Sequence, residues 1–125
     1  MSGSPNNRYA EVREKRTISF GKNQRVRSEA VSRELAADIL KGFRRQGLEI
    51  PKTKPVRDSI IRSKGRRWLP AVLRGNQVPT KVLVEMLNLS NKQDAQVLGK
   101  ARNREKLATA LADGILTHFG EKPLK

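Results

Sequence analysis

The feature that most constrains this chain is a short apolar run between turn residues, at Val78–Asn91, with the sequence VPTKVLVEMLNLSN. Its apolar members are Val82, Leu83, Val84, Met86, Leu87 and Leu89. A short apolar run bounded by turn residues is typical of a strand buried on both faces. One carboxylate, Glu85, lies inside the run, and burying a carboxylate without a partner is costly. We therefore predict a strand over about 81–87, with Glu85 as a candidate functional residue.

Helices are predicted on both sides of this strand. The segment 28–46 has Ser28 as a candidate N-cap, an apolar stripe, and Gly47 as a left-handed C-terminal cap. A short helix over 92–98 has Ser90 or Asn91 as its cap, and a longer helix over 101–119 ends before Gly120. The stripes consist of Val31, Leu35, Ile39 and Phe43 in the first helix, and Leu107, Leu111 and Ile115 in the last. We expect the stripe of the last helix to pack on a sheet.

The element order predicts an α/β fold. Residues 68–74, WLPAVLR, are predicted as a second strand with Pro70 at its start or at a sheet edge. Residues 48–50 are predicted to be briefly extended, within a basic and irregular stretch that continues to 67. Because two strands shield a helix pair poorly, we expect a partial layered domain, with a few short strands packed against two main helices. The predicted boundaries are a basic, poorly ordered arm at 1–27, the domain at 28–120 and a tail at 121–125.

The charge balance favours a polyanionic partner. The chain has 27 Lys and Arg against 12 Asp and Glu, which gives a net charge of +15. Nucleic acid, anionic lipid headgroups and anionic cell-wall polymers all fit this charge. Aromatic residues are only 4%, which is few for a surface that stacks on bases. Trp68 could stack on a sugar or a base, although a partly buried core position is commoner for tryptophan. No stretch reaches the roughly 20 apolar residues of a membrane span, and the absence of cysteine excludes disulfides and thiolate ligands.

Residues 78–119 resemble the C-terminal end of the zinc-dependent N-acetylmuramoyl-L-alanine amidases of the amidase-3 type. The last strand of those enzymes carries a Pro-x-x-Leu-Val-Glu pattern and a Leu-Ser-Asn turn, and this chain reads VPTKVLVEMLNLSN. WLPAVLR resembles their preceding strand and SEAVSRELAADILKGF the helix before it, so that the resemblance covers about 28–120. Asn88 and the Thr80–Lys81 turn depart from the pattern.

The resemblance implies hydrolysis of the amide between N-acetylmuramic acid and L-alanine in peptidoglycan. It also implies that Glu85 is the catalytic carboxylate beside a zinc ion. In the family, two histidines and a glutamate bind the zinc, and the histidines come from Gly-His-Gly and Ser-Ile-His motifs. This chain has neither motif, and its one histidine, His118, is expected to be a surface residue at a helix C-terminus. We therefore predict no metal ligands in this chain, no activity from it alone, and a fragment or truncated product of an amidase.

The residues themselves allow one alternative role for Glu85 and one for the whole chain. Glu85 could be a solvated strand-end carboxylate paired with a nearby arginine such as Arg74. The chain could be a non-catalytic basic module that binds nucleic acid, with an affinity that falls steeply with salt. The family acts in the periplasm or outside the cell, whereas a chain with this N-terminus, which lacks an apolar signal region, is expected in the cytoplasm.

Overall fold

The structure is a computed structural model that describes residues 22–58, 60–61 and 63–121. Its helices are α1 (Lys22–Arg45), α2 (Ala71–Arg74), α3 (Lys92–Gly99) and α4 (Ala101–His118). Two short antiparallel strands, β1 (Ile60–Ile61) and β2 (Arg67–Trp68), are joined by a 3-10 turn at Ser63–Gly65. The described part of the chain is therefore mostly helical.

The first helix is longer than predicted. It begins at Lys22, six residues before the predicted start, so that Ser28 lies inside the helix and is not its cap. The predicted boundary between arm and domain at residue 27 also falls within α1. The helix ends as expected, because Gly47 has a φ of 70° and Leu48 N donates to Phe43 O at 3.0 Å. The predictions for residues 1–21 and 122–125 lie outside the described residues.

The core is the crossing of α1 and α4. Ile39 and Phe43 of α1 are buried with Leu107 and Ala110 of α4. At the crossing the two backbones touch, because a Cβ added to Gly42 would lie 2.2 Å from Ala110 O. The prediction that α4 packs on a sheet is therefore wrong for the described residues. Leu107 and Leu111 of its predicted stripe pack mainly against another helix, whereas Ile115 is exposed.

Two polar contacts join the same helices. The side chain of Asp113 is 1% exposed, and Arg45 Nε lies 3.2 Å from its Oδ2 without the alignment of a hydrogen bond. Nearer the end of α4, His118 Nδ1 lies 3.2 Å from Asp38 Oδ2. His118 is thus 13% exposed and part of the helix interface, which corrects the prediction of a surface residue.

Both predicted main strands differ in the structure. Within 68–74, only Trp68 belongs to a strand, and Ala71–Arg74 forms helix α2 directly after Pro70. Pro70 is the N-cap of this helix, with a ψ of 141°, and it cannot take part in a strand ladder as a donor because it has no N–H. Residues 81–87 have no helix or strand assignment and pair with no described strand. The layered α/β sheet is consequently not present among the described residues, since an apolar pattern makes a strand only where a neighbour supplies the hydrogen bonds.

Candidate active site

Glu85 lies on an irregular segment, Val82–Leu87, that packs against the core of the helix pair through Val82, Val84 and Leu87. The start of the segment is fixed to α1 by two serines one helical turn apart. Ser32 Oγ accepts a hydrogen bond from Lys81 N at 3.1 Å, and the hydroxyl of Ser28 donates to Pro79 O. The segment therefore enters the site in a defined position.

The other end of the segment is fixed by the start of α3. Asn91 caps this helix, since its Oδ1 accepts hydrogen bonds from Gln93 N and Asp94 N, both at 3.0 Å. Asp94 in turn accepts a hydrogen bond from Asn88 N at 3.0 Å. The predicted Asn91 cap is confirmed, and it ties the residues after Glu85 to a helix N-terminus.

Side chains alternate along the first part of the segment. Val82 and Val84 pack against the core of the helix pair, whereas Leu83 and Glu85 are exposed. Leu87 returns to the core. The apolar run therefore holds the segment down, and the carboxylate of Glu85 is presented to solvent and is not buried.

A cleft of about 880 Å³ lies beside the segment. One wall is the face of α1 that carries Ile39 and Phe43, and Val82–Met86 forms another. The remaining lining comes from residues 49–58 and 67–74. Glu85 and Arg74 both line this cleft, yet Glu85 forms no hydrogen bond or ion pair with any described residue. The alternative in which Arg74 pairs with Glu85 is thus not seen.

A solvent-exposed carboxylate without a partner can accept and return a proton. Hydrogen bonds hold the flanks of its segment, and its own oxygen atoms contact no described partner, which suits a group that must meet a substrate. Trp68 is half-buried on β2 and does not line the cleft, so it adds no stacking surface there. The sequence analysis did not predict that Ser28 and Ser32 hold the segment. Their spacing of four residues, which puts both on one face of a helix, could have indicated a shared contact.

The described residues do not form a zinc site. No three His, Cys, Asp or Glu side chains among them are grouped in a way that could hold a metal ion. His118 is engaged with Asp38 at the helix interface. Zinc needs three protein ligands in a catalytic site, and these residues do not fit that requirement.

Comparison with known proteins identifies the family of the chain. The model of the N-acetylmuramoyl-L-alanine amidase family matches residues 9–117. The chain belongs to this amidase family. It is also 36% identical over 70 residues to the N-acetylmuramoyl-L-alanine amidase AmiA of Escherichia coli strain K12. That alignment covers 56% of this chain and 24% of AmiA, so the aligned part is about a quarter of the relative. No solved structure gives a significant match.

The amidase match extends further towards the N-terminus than the resemblance seen in the sequence, which began at about residue 28. It includes the whole of α1 and part of the segment before it. Every helix in the described ranges is too short or too polar to cross a bilayer. The family relationship therefore extends over the helix pair, the cleft and the segment that carries Glu85.

Proposed function

We propose that this chain forms the C-terminal part of a peptidoglycan amidase, with Glu85 as its catalytic carboxylate. The substrate bond is the amide between N-acetylmuramic acid and L-alanine. The observation that carries the proposal is the position of Glu85 in a chain of the amidase family. Glu85 is exposed, has no partner among the described residues, and lies on a segment held at both ends. Since peptidoglycan lies outside the cytoplasm, a chain with this function would act in the periplasm or outside the cell.

Glu85 would act by moving a proton. Its carboxylate accepts a proton from a water molecule as the water oxygen attacks the amide carbon. The protonated Glu85 then donates that proton to the leaving nitrogen, so that the C–N bond breaks and a free carboxylate and an amine result. One group can serve both steps, because it ends the cycle ionised as it began.

The metal-binding part of the amidase site would come from residues outside this sequence. The described residues do not fit a zinc site, and the sequence lacks the Gly-His-Gly and Ser-Ile-His motifs of the family. In the complete arrangement, the segment Val82–Leu87 would be one strand of a layered α/β domain. We therefore expect this chain to need a metal-binding partner portion for hydrolysis.

A chimera tests the proposal. In E. coli AmiA, the segment that aligns with this chain is replaced by the corresponding residues of this chain. The chimera is expected to cleave purified peptidoglycan, measured as new N-terminal alanine amines, and Glu85→Gln should lower the rate by about 10²–10⁴-fold. Glu105→Gln, which removes an exposed carboxylate on α4, is the matched control and should keep the rate.

Two results would count against the proposal. A Glu85→Gln chimera with full activity would show that Glu85 is not the proton-transfer group. A chimera that folds by circular dichroism yet cleaves nothing would show that this chain no longer supports amidase chemistry. The chain alone, with added zinc, is expected to release no amines, and activity from it would contradict the need for a separate metal-binding portion.

A further inference from the structure

A basic surface lies outside the cleft, on the stretch 52–74. This stretch contains eight Lys and Arg, and Asp58 is its only acid. Four of its cations are exposed and do not line the cleft, namely Lys52, Lys54, Lys64 and Arg66. None of these four side chains forms an ion pair or hydrogen bond with a described residue. A partner that binds them therefore need not enter the cleft that Glu85 lines.

The hairpin of β1 and β2 presents two of these cations at its tip. The strands are antiparallel, and the turn at Ser63–Gly65 joins them. Lys64 lies in this turn and Arg66 directly after it, and both are exposed. The chain before the hairpin is tied to α1 by an ion pair between Asp58 and Arg33. The one acid of the stretch is therefore engaged at α1, and the charges at the tip are left without compensation by a described residue.

Two lysines of the same stretch have a left-handed backbone. Lys54 has a φ of 44° and Lys64 a φ of 67°, and within the described ranges they are the only non-glycine residues with a positive φ. This conformation is unfavourable for a residue with a Cβ, whereas glycine and asparagine adopt it more readily. Because neither ammonium group contacts a described residue, no contact of the fold explains lysine at these positions. A backbone outlier of this kind points to a function of the side chain.

We propose that the hairpin tip, with Lys64 and Arg66, and the turn at Lys54 bind a linear polymer whose charges are phosphodiesters. Lysine binds phosphate as a point charge, and arginine binds it through two parallel N–H···O bonds. Such binding holds the chain on the polymer while the cleft remains open to substrate.

The polymer that fits this surface is a poly(glycerol phosphate) chain of the cell wall. This choice rests on the proposed function, which brings the chain to peptidoglycan. Nucleic acid is disfavoured, because proteins that bind single strands stack bases on aromatic side chains. The one aromatic residue of the stretch is Trp68, and it is half-buried.

The salt dependence of binding tests the site. The full chain is titrated into end-labelled poly(glycerol phosphate), and fluorescence anisotropy gives the Kd between about 0.05 and 0.2 M salt. The logarithm of the affinity should fall linearly with the logarithm of the salt concentration, with a slope of about −0.7 for each phosphate contacted, as for single-stranded polyanions. Lys64→Gln should make this slope shallower by about 0.7 and weaken binding about fivefold at 0.1 M salt.

A matched control separates the tip from the net charge. Lys106→Gln removes the same charge from an exposed position on α4. It should change neither the slope nor the affinity at 0.1 M salt, because exposed charges farther apart than about 10 Å are largely screened there. Equal effects of Lys64→Gln and Lys106→Gln would show that the chain binds through its overall charge, and would overturn the site.

Lys64→Asn separates binding from folding. Asparagine adopts the left-handed backbone more readily than lysine, so the variant should unfold at the same or a higher urea concentration than the wild type. It should nevertheless bind the polymer about fivefold more weakly at 0.1 M salt. A lower urea midpoint together with weaker binding would show that Lys64 serves the fold, and would count against the site.

Three further probes identify the polymer. Free glycerol phosphate at the same phosphate concentration should not compete, because it makes one contact where the polymer makes several. Oligothymidylate with the same number of phosphates should bind no more tightly than the wall polymer, since its bases find no stacking surface. Tenfold tighter binding of oligothymidylate would identify a nucleic-acid surface instead. Binding to phosphatidylglycerol vesicles without binding to the wall polymer would identify a lipid surface.

These binding measurements are independent of amide hydrolysis. A chain that binds no polymer at 0.05 M salt would overturn the site, even if the AmiA chimera were active. An inactive chimera would leave the binding result as it stands, although the reason for choosing a wall polymer would then be lost.

Discussion

The contact between Gly42 and Gly114 should set the stability of the helix pair. At each of these glycines, the backbone of the opposite helix occupies the space that a side chain would fill. A Cβ on Gly42 would lie 2.2 Å from Ala110 O and 2.7 Å from Gly114 N, and a Cβ on Gly114 would lie 2.4 Å from Ile39 Cα. Ordinary contacts begin at 3.4 Å, so the Cβ added by Gly42→Ala would lie 1.2 Å too close to Ala110 O. Because all these atoms are main-chain atoms, no rotamer change can relieve the clash.

The helices must therefore move apart by about 1 Å in Gly42→Ala, and a gap of that size removes a quarter to a half of the dispersion energy of the atoms that face it. Overpacking of this kind costs typically 1–3 kcal/mol, and we expect the upper end, about 3 kcal/mol. Alanine regains about 1 kcal/mol through its higher helix propensity. The net loss of unfolding free energy should thus be about 2 kcal/mol, for Gly42→Ala and for Gly114→Ala.

Urea unfolding followed by circular dichroism at the helix band measures this loss. The matched control is Gly99→Ala at the end of α3, where an added Cβ meets nothing within 4 Å, so that the variant should be neutral or more stable by up to about 1 kcal/mol. The double variant Gly42→Ala/Gly114→Ala should lose less than the sum of the single losses, since the first separation makes room for the second methyl. If Gly42→Ala proved as stable as Gly99→Ala, the two backbones would not be in contact and the reasoning would fail.

Two further predictions concern the polar contacts of the same interface. Arg45→Ala leaves the buried carboxylate of Asp113 without its counter-charge and should cost about 2–3 kcal/mol of unfolding free energy, less than for a fully buried pair because Arg45 is 37% exposed. Asp113→Asn removes the charge and should cost less in the same urea assay, and the reverse order would contradict the pairing. Burial raises the pKa of Asp38, but hydrogen bonds and charges from Lys41 and His118 outweigh it and hold this pKa below its ordinary value of 3.8. The ionised Asp38 therefore stabilises the fold above pH 3.8, and this contribution is lost as the pH falls through the lowered pKa, so the stability advantage of the wild type over Asp38→Asn should shrink in acid. An advantage that is constant from pH 7 down to pH 2 would refute this assignment.

Local patterns predicted the helices well. The stripe through Ile39 and Phe43, the Asn91 cap and the Gly47 terminus each depend on residues close in sequence, and each is present in the structure. The start of α1 at Lys22 could not be predicted from Ser28, because a serine in a helix interior can use its hydroxyl elsewhere. Here it donates to Pro79 O, which is distant in sequence.

Strands were predicted less well, since a strand depends on a neighbour that local sequence does not reveal. Residues 81–87 have the composition of a strand, and burial alternates from Val82 to Glu85, but no described strand pairs with them. In 68–74, Pro70 has no N–H to donate to a sheet and precedes a short helix as its N-cap, so the apolar pattern did not form a strand. For the site, the predicted strand buried on both faces is not present among the described residues, and Glu85 is exposed. Its catalytic role remains a prediction.

The crossing of α1 and α4 closes a long loop of chain. The two helices meet across residues 46–100, which contain the cleft and the segment that carries Glu85. The entropy of closing such a loop grows only with the logarithm of its length, so that doubling it costs about 0.6 kcal/mol. Insertions between the helices are therefore inexpensive compared with one added methyl group at Gly42. Relatives with this helix pair can vary the length of the enclosed chain, and with it the shape of the cleft, while the crossing itself allows almost no variation.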